Sequence, residues 1–430
     1  MNIKKKSFFD IIVIGAAMFS MFFGAGNMIF PPYLGFGGGT DWLSGFLGYF
    51  IADIGLVILS IVALVRMNGQ EQLLNNIGRI TGSVLLFIII MCLGPIISIP
   101  RTAATTYELF AVPSFGKQEF PWFYVLFFAI VLIMCLKKSA VVDIVGKILT
   151  PLLFVGLLTL IIIGILEPIG GIDIGPRTNS AFADGIEAGY QSMDVLGAIV
   201  FGALIISSAA DKGYKDLNNS TKIIIYASLF AGLGLFVVYL GLTYLGATSC
   251  TLYDMHTLRT ELLINIVSKL VAGKIGIIIF GVTAALACLS TAVALTGSAA
   301  EFLSRITKNK INYKVFVIAI CVISALTSSL GVDKLVELAS PLLSIVYPPV
   351  LTTVIISFFD KNVGLFSYKF AGYTAMLFGA YDAISSFGLR VEILDAFLLQ
   401  ELGIGWLVPS AFAFLIGFII DRKIKRTCRI

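Results

Sequence analysis

Gly24-Ala25-Gly26-Asn27 lies about two thirds of the way along a long apolar run and is followed at once by Pro31-Pro32. Glycine inside a helix costs roughly 1 kcal/mol relative to alanine, so a break is cheap there. Unwinding would free amides at the start of the next half-helix, a positive dipole end that suits a carboxylate. It would also free carbonyls that suit a small cation or an ammonium group. The plainer reading is that Gly24, Ala25 and Gly26 let two helices pack closely; Asn27 and the two prolines favour the break. A second polar cluster, Tyr190-Gln191-Ser192-Met193-Asp194, interrupts another apolar run. A carboxylate deep in lipid costs on the order of 2.5 to 3.5 kcal/mol on insertion scales, so Asp194 should face a cavity or a partner. That partner is a substrate ammonium, a coupling ion, or structurally Arg101. Asp53 and Asp382 raise the same question less sharply. Arg101, after Pro100 and with Glu108 two turns on, predicts an ion pair. Ala287-Cys288-Leu289-Ser290-Thr291 sets two adjacent hydroxyls in an apolar run, where such groups often only bond back to their own helix.

The elements that carry these residues belong in a bilayer. The chain has 430 residues, 58% hydrophobic and 13% charged, with a mean hydropathy of +0.99. A soluble protein carries roughly 25% charged residues, so disordered, collagen-like and small disulfide-rich classes are excluded too. The net charge of +5 comes from short basic clusters between apolar runs, which argues against nucleic-acid binding. None of the six cysteines forms a Cys-x-x-Cys pair, so neither disulfides nor a zinc site is expected. The single histidine, His256, excludes a histidine metal cluster or a serine-histidine-acid triad. No Gly-x-x-x-x-Gly-Lys-Ser/Thr loop is present, which disfavours an ATP-driven pump.

A hydrocarbon core of about 30 Å takes about 20 helical residues to cross. Twelve runs qualify, at 8–32, 42–65, 83–110, 120–137, 141–166, 185–209, 222–248, 273–303, 313–331, 335–359, 368–389 and 403–421. The first is too long for a cleavable signal and lacks a small-residue cleavage site. With Lys4, Lys5 and Lys6 inside, most of the basic residues fall on the cytoplasmic side, among them Lys137, Lys138, Lys147, Lys212, Lys215, Lys222, Arg305, Lys308 and Lys361. The opposite connections are acidic, with Glu119, Glu167, Asp173, Asp184, Asp254, Glu261, Glu392, Asp395 and Glu401. Both termini are therefore expected in the cytoplasm of a multi-pass protein of the cell membrane.

Residues 125–153 align without a gap on 315–343, with eleven identities that include Val142-Asp143 on Val332-Asp333 and Pro151-Leu152-Leu153 on Pro341-Leu342-Leu343. By the span count the two copies enter the membrane from opposite sides. Inverted repeats of this sort build many secondary transporters, with substrate held at broken helices near mid-depth. The expected divisions are 1–166 for spans 1 to 5, 167–360 for spans 6 to 10, and 361–430 for spans 11 and 12 with a basic tail. Spans 1 and 6 are then the expected broken pair; Ser20-Met21 and Ser192-Met193, each followed by Gly-Ala, match weakly between them.

Lys4-Lys5-Lys6, Phe23-Gly24-Ala25-Gly26-Asn27-Met28-Ile29-Phe30-Pro31-Pro32, Ile99-Pro100-Arg101-Thr102 and Gly189-Tyr190-Gln191-Ser192-Met193-Asp194 resemble the bacterial branched-chain amino acid:cation symporter family. The resemblance covers essentially the whole chain. It implies an all-α membrane fold of the larger amino acid, polyamine and cation superfamily: a LeuT-like five-plus-five inverted repeat with helices 1 and 6 broken, plus two C-terminal helices. It also implies uptake of leucine, isoleucine and valine driven by sodium or, in some members, protons. The sodium set it implies is Ser20, Phe23, Ala287, Ser290 and Thr291.

The expected substrate site is Phe23, Gly24, Ala25, Gly26 and Asn27 with Tyr190, Gln191, Ser192, Met193, Asp194 and Phe201. The carboxylate would meet the amides of Gly24 to Asn27, and the ammonium the span 6 carbonyls and Asp194. Met193 and Phe201 would wall the branched side chain. A buried methylene is worth about 0.8 kcal/mol, so such a pocket separates leucine from alanine well and leucine from isoleucine poorly. No cofactor beyond the coupling ion and no obligate protein partner is expected. A channel and a membrane enzyme are the rival classes. The nearer alternative is a proton-coupled transporter of other neutral amino acids, with Asp194 or Asp53 titrating.

Overall fold

A computed structural model describes residues 3–116, 121–136, 150–214, 216–254, 256–271, 273–359, 363–388, 399 and 402–427. Among these residues all regular structure is helical. In chain order the helices are α1 (Ile3–Phe22), α2 (Ala25–Gly38), α3 (Trp42–Phe50), α4 (Leu56–Arg66), α5 (Gln70–Asn75), α6 (Arg79–Met91), α7 (Ser98–Thr106) and α8 (Val112–Phe115). Then follow α9 (Pro121–Leu136), α10 (Thr150–Leu166), α11 (Ala181–Ser192), α12 (Asp194–Asp211), α13 (Leu217–Ala247) and α14 (Arg259–Leu270). The last are α15 (Gly273–Ile306), α16 (Tyr313–Ser328), α17 (Val332–Ser357), α18 (Leu365–Ser385) and α19 (Leu407–Thr427).

Five helical runs are long and apolar enough to cross a membrane, or six if one pair bent by 50° is a single span; shorter apolar helices lie at Ser7–Phe22, Trp122–Leu136, Leu153–Leu166 and Tyr313–Ser328. Twelve crossings therefore remain a reading of the sequence. So does the repeat, because 137–149, which hold Asp143, Lys137, Lys138 and Lys147, lie outside the described residues, as do Glu119, Lys215, Lys361, Glu392, Asp395 and Glu401.

Two interruptions fall where the sequence expects them. The first helix stops at Phe22 and restarts at Ala25, with Gly24 extended (φ −120°, ψ −166°). Between α11 and α12 only Met193 intervenes, in the left-handed region at φ 66°. A third was not anticipated: the run from α6 to α7 passes through a π-turn at Cys92–Ile96, where Gly94 has non-helical torsions (φ −84°, ψ −126°) and Pro95 offers no N–H. The amphipathic helix α14 between spans 7 and 8 was also not anticipated; it buries Leu262, Leu263, Ile266 and Val267.

The half-helix α2 is held by α3, α11, α13 and α14. Its crossing with α13 depends on two glycines. A Cβ on Gly35 would stand 1.8 Å from the Thr243 carbonyl oxygen, and one on Gly246 1.8 Å from that of Pro32. Small residues let helix backbones touch in lipid, where apolar surface alone gives little drive to associate.

Both ends of the broken pair are tied down. At one end Asp10 on α1 accepts from Lys212 Nζ (3.3 Å) and the Tyr214 hydroxyl (3.0 Å), just past α12. At the other, Arg259 on α14 pairs with Asp333 on α17 and lies 4.7 Å over the Tyr33 ring of α2. Gly246→Val should part α2 from α13 and cost on the order of 1 to 3 kcal/mol. A thermal-unfolding midpoint of the detergent-solubilised variant equal to wild type would contradict this crossing.

Candidate functional site

Three chain breaks meet around one small cleft. Its walls include Gly24, Ala25, Gly26 and Asn27 from the first break, Ser192, Met193, Asp194, Gly197 and Phe201 from the second, Leu93, Ser98, Arg101 and Thr102 near the third, and Thr291 and Leu295 of α15. The cleft encloses about 30 Å³. That holds roughly two waters and no leucine.

Each break exposes backbone groups that lipid cannot satisfy, and side chains supply the partners. The Asn27 amide donates to the Phe22 carbonyl (2.5 Å) and to Asp194 Oδ2 (2.6 Å), and also meets the Tyr239 hydroxyl. One side chain thus closes the first break and binds it to the second. At the second break, Arg101 Nη1 donates to the Gln191 carbonyl (2.7 Å) and Nη2 to that of Ser192 (3.1 Å). Its guanidinium also lies 5.5 Å from the centre of the Phe30 ring, and a Cβ on Gly26 would come within 2.9 Å of Nη2. Arg101 is buried and contacts all three broken segments.

This corrects the expected ion pair. Arg101 caps carbonyls. Glu108 instead accepts from the Thr260 hydroxyl (2.5 Å) and the Val332 amide (3.0 Å), joining α14 to the start of α17. Proline at position 100 and the π-turn before it aim the arginine sideways at α11, a direction that residue spacing alone does not reveal.

Of the other expected substrate residues, Phe23 is buried behind the cleft, stacked on Phe19 at 5.6 Å and Tyr239 at 6.1 Å. Tyr190 points away from the cleft and stacks on Tyr347 at 4.5 Å. It borders a larger cavity of about 610 Å³ that also touches Asp184, Asp382 and Trp406. Gln191 borders a separate vestibule beside Tyr33, Glu187 and Arg259. Met21, Phe22, Leu93, Ser98, Thr102, Gly197 and Leu295 were missed; Gly94-Pro95 in mid-run was the available signal for Leu93, Ser98 and Thr102.

The expected cation set is partly gathered. The Thr291 hydroxyl and methyl are the nearest atoms to a Cβ built on Gly24, at 3.3 and 3.4 Å, so α15 lies against the first break. Ser290 Oγ donates to the Ala287 carbonyl at 2.7 Å and Thr291 Oγ1 to the same oxygen at 3.3 Å. With their protons turned to that carbonyl, both hydroxyl oxygens keep lone pairs for a hard cation. Among the described residues no group of three or more His, Cys, Asp or Glu could hold a metal. Ser20 and Phe23 lie within four residues of the break on its α1 side.

Broken helices that present free backbone polarity to a cleft define a secondary transporter fold. Known structures share the overall fold. The chain matches the nucleobase-cation-symport-1 family transporter MHP1, closed on bromovinylhydantoin, with a TM-score of 0.61 at 15% identity over 97% of this chain and 93% of that one. It matches an outward-open Na+-coupled sialic acid symporter with a TM-score of 0.60 at 13% identity over 96% and 89%. These likenesses establish the LeuT-type transporter fold.

Residues 7–424 match the family described as branched-chain amino acid transport protein, and the chain belongs to it. It is 33% identical to the branched-chain amino acid permease BrnQ of Salmonella typhimurium over 97% of both chains. To permease BraB of Bacillus subtilis it is 31% identical over 96% of this chain and 95% of that one. The Pseudomonas aeruginosa branched-chain amino acid transport system 2 carrier protein is 33% identical over 97% of each. The chain is thus a membrane transport protein and not an enzyme.

Arg101→Lys keeps the charge but offers one ammonium to two carbonyls. Losing a charged hydrogen bond to a buried carbonyl should cost about 1.5 to 3 kcal/mol, read as a lower unfolding midpoint. A midpoint equal to wild type would show that the guanidinium does not hold the second break.

Proposed function

We propose that this protein imports leucine, isoleucine and valine across the bacterial cell membrane by sodium-coupled symport. The observation that carries the reading is the meeting of the Gly24 and Met193 breaks around a cleft with a carboxylate on one wall and apolar side chains on the others. The substrate carboxylate meets the amides at the start of α2, where the helix dipole is positive. Its ammonium meets Asp194, which is otherwise held by Asn27. Met21, Phe22, Leu93, Met193, Phe201 and Leu295 surround the branched side chain. Each buried methylene contributes about 0.8 kcal/mol, so leucine, isoleucine and valine overlap as substrates while alanine is rejected.

Sodium sits between the hydroxyls of Ser290 and Thr291 with the Ala287 carbonyl and the carbonyls of Ser20 and Phe23. There it draws α15 toward the first break and sets the α2 amides for substrate. Entry requires the walls to part, because the cleft of about 30 Å³ is smaller than leucine. Rocking of the broken helices opens the site to one side at a time, releasing either the Asp10 link or the Arg259 link.

Purified protein in liposomes, given labelled leucine under separate sodium and proton gradients, should accumulate it under the sodium gradient. Accumulation under neither gradient would refute symport. Ser290→Ala with Thr291→Ala should raise the sodium concentration needed for half-maximal uptake by at least about tenfold while leaving protein abundance intact, because it removes two ligands. Unchanged sodium activation would remove α15 from the ion site.

A further inference from the structure

Beside Asp194 of the cleft wall lies a buried carboxyl that neither substrate nor sodium is assigned to use. It is Asp53, fully buried in a π-turn at Ile51–Gly55 that joins α3 to α4. Such turns are often found at functional sites. Asp53 Oδ1 accepts from Ser192 Oγ at 2.8 Å, and the Tyr49 hydroxyl and the Asp194 carboxyl lie close beside the same carboxyl. The buried Tyr347 hydroxyl, which also faces Asp53, has no hydrogen-bond partner.

The titratable groups facing Asp53 come from every element packed on it. Tyr49 stands one turn back on its own helix, Asp194 on α12, Tyr239 on α13 and Tyr347 on α17. Arg101 is the cation of the neighbourhood, and it acts on Asp194, Tyr49 and Tyr347 while donating to two carbonyls. Asp184 and Glu187, also on α11, face the vestibule with Arg259. The guanidinium thus serves Asp194 rather than Asp53. Asp194 lines the cleft, where an arriving ammonium can offset it; Asp53 is not among the cleft walls. A buried carboxylate with no cation is costly, and the smallest neutraliser able to enter such a site is a proton.

Ser192 passes the state of Asp53 to the break. Its hydroxyl has one hydrogen for two acceptors, Asp53 Oδ1 at 2.8 Å and the Gly189 carbonyl at 2.6 Å, while its oxygen accepts the Asp194 amide at 3.3 Å. An ionised Asp53 draws that hydrogen; a neutral one leaves it to Gly189.

We propose that Asp53 is a proton-binding site and that its protonation, relayed by Ser192, sets the break before Asp194 in its substrate-competent form. The inference rests on the transport reading above and adds a second cation to it. The proton enters as H+ from water when the helices part.

The test uses the full-length protein in liposomes at a fixed sodium gradient, with leucine KM measured across external pH. If only the protonated form is competent, wild-type KM rises about tenfold per pH unit on the alkaline side. Asp53→Asn, a neutral stand-in for the acid, should keep uptake on the acid side and lose the pH dependence. Ser192→Ala removes the relay, so its KM should no longer follow pH although Asp53 is still present; a Ser192→Ala profile that bends like wild type would overturn the relay. An Asp53→Asn profile that still bends like wild type, or a wild-type KM flat with pH, would overturn the proposal.

Should Asp53→Asn not fold, infrared difference spectra of wild type and Ser192→Ala decide without any transport assay. A carboxylic acid band lost on alkalinisation, and shifted in frequency in Ser192→Ala because its hydrogen bond to Asp53 is gone, is expected; no such band would overturn the site. Failure of wild-type liposomes to accumulate leucine counts against symport, whereas a flat pH profile with intact accumulation counts against Asp53 alone.

Discussion

A bilayer leaves no backbone amide or carbonyl unpaired, yet this chain breaks its helices at Gly24, Gly94 and Met193. Arg101 reconciles the two facts. Its five donors and flat fork let one buried side chain take two carbonyls of α11 while its edge lies against Gly26 and its face over Phe30. Asn27 does the complementary work, tying the Phe22 carbonyl to Asp194 across the cleft. Once those demands are met, what remains available to a ligand is the amide end of α2, the Asp194 carboxylate and the hydroxyls of α15.

The same economy explains why bulky Met193 holds a left-handed conformation, which costs roughly 1 to 2 kcal/mol for a residue with a Cβ. Glycine there would remove that cost and also the apolar wall that Met193 gives the cleft. Backbone strain and side-chain function are thus met at one residue, a pattern common where a chain is held in one geometry for binding.

Much of this was legible in the sequence, but unevenly. Gly24 and Gly26 ahead of two prolines announce the first break through backbone chemistry, and Asp194 in an apolar run announces the second through its need for a partner. The third break had an equally plain signal in Gly94-Pro95, hidden by the continuous apolar run around it. The role of Arg101 was not legible, because its partners are main-chain carbonyls of a helix ninety residues away and carry no side-chain code. The sequence groups Tyr190 and Gln191 with Asp194 as one polar cluster in an apolar run. Helical geometry instead turns Tyr190 to Tyr347 and Gln191 to the outer vestibule.

The ends of the broken pair are pinned at Asp10 with Lys212 and Tyr214 and at Arg259 with Asp333, and the cleft between encloses about 30 Å³, less than a leucine needs. The most direct measurement of the central claim is a cryo-electron microscopy map of the protein with leucine and sodium bound. The account predicts an enlarged cleft with the leucine carboxylate against the amides of Ala25 to Asn27, its ammonium at Asp194 and its side chain between Met193 and Phe201. Leucine seated instead in the larger cavity beside Asp184 and Asp382, with Arg101 released from the Gln191 and Ser192 carbonyls, would contradict it.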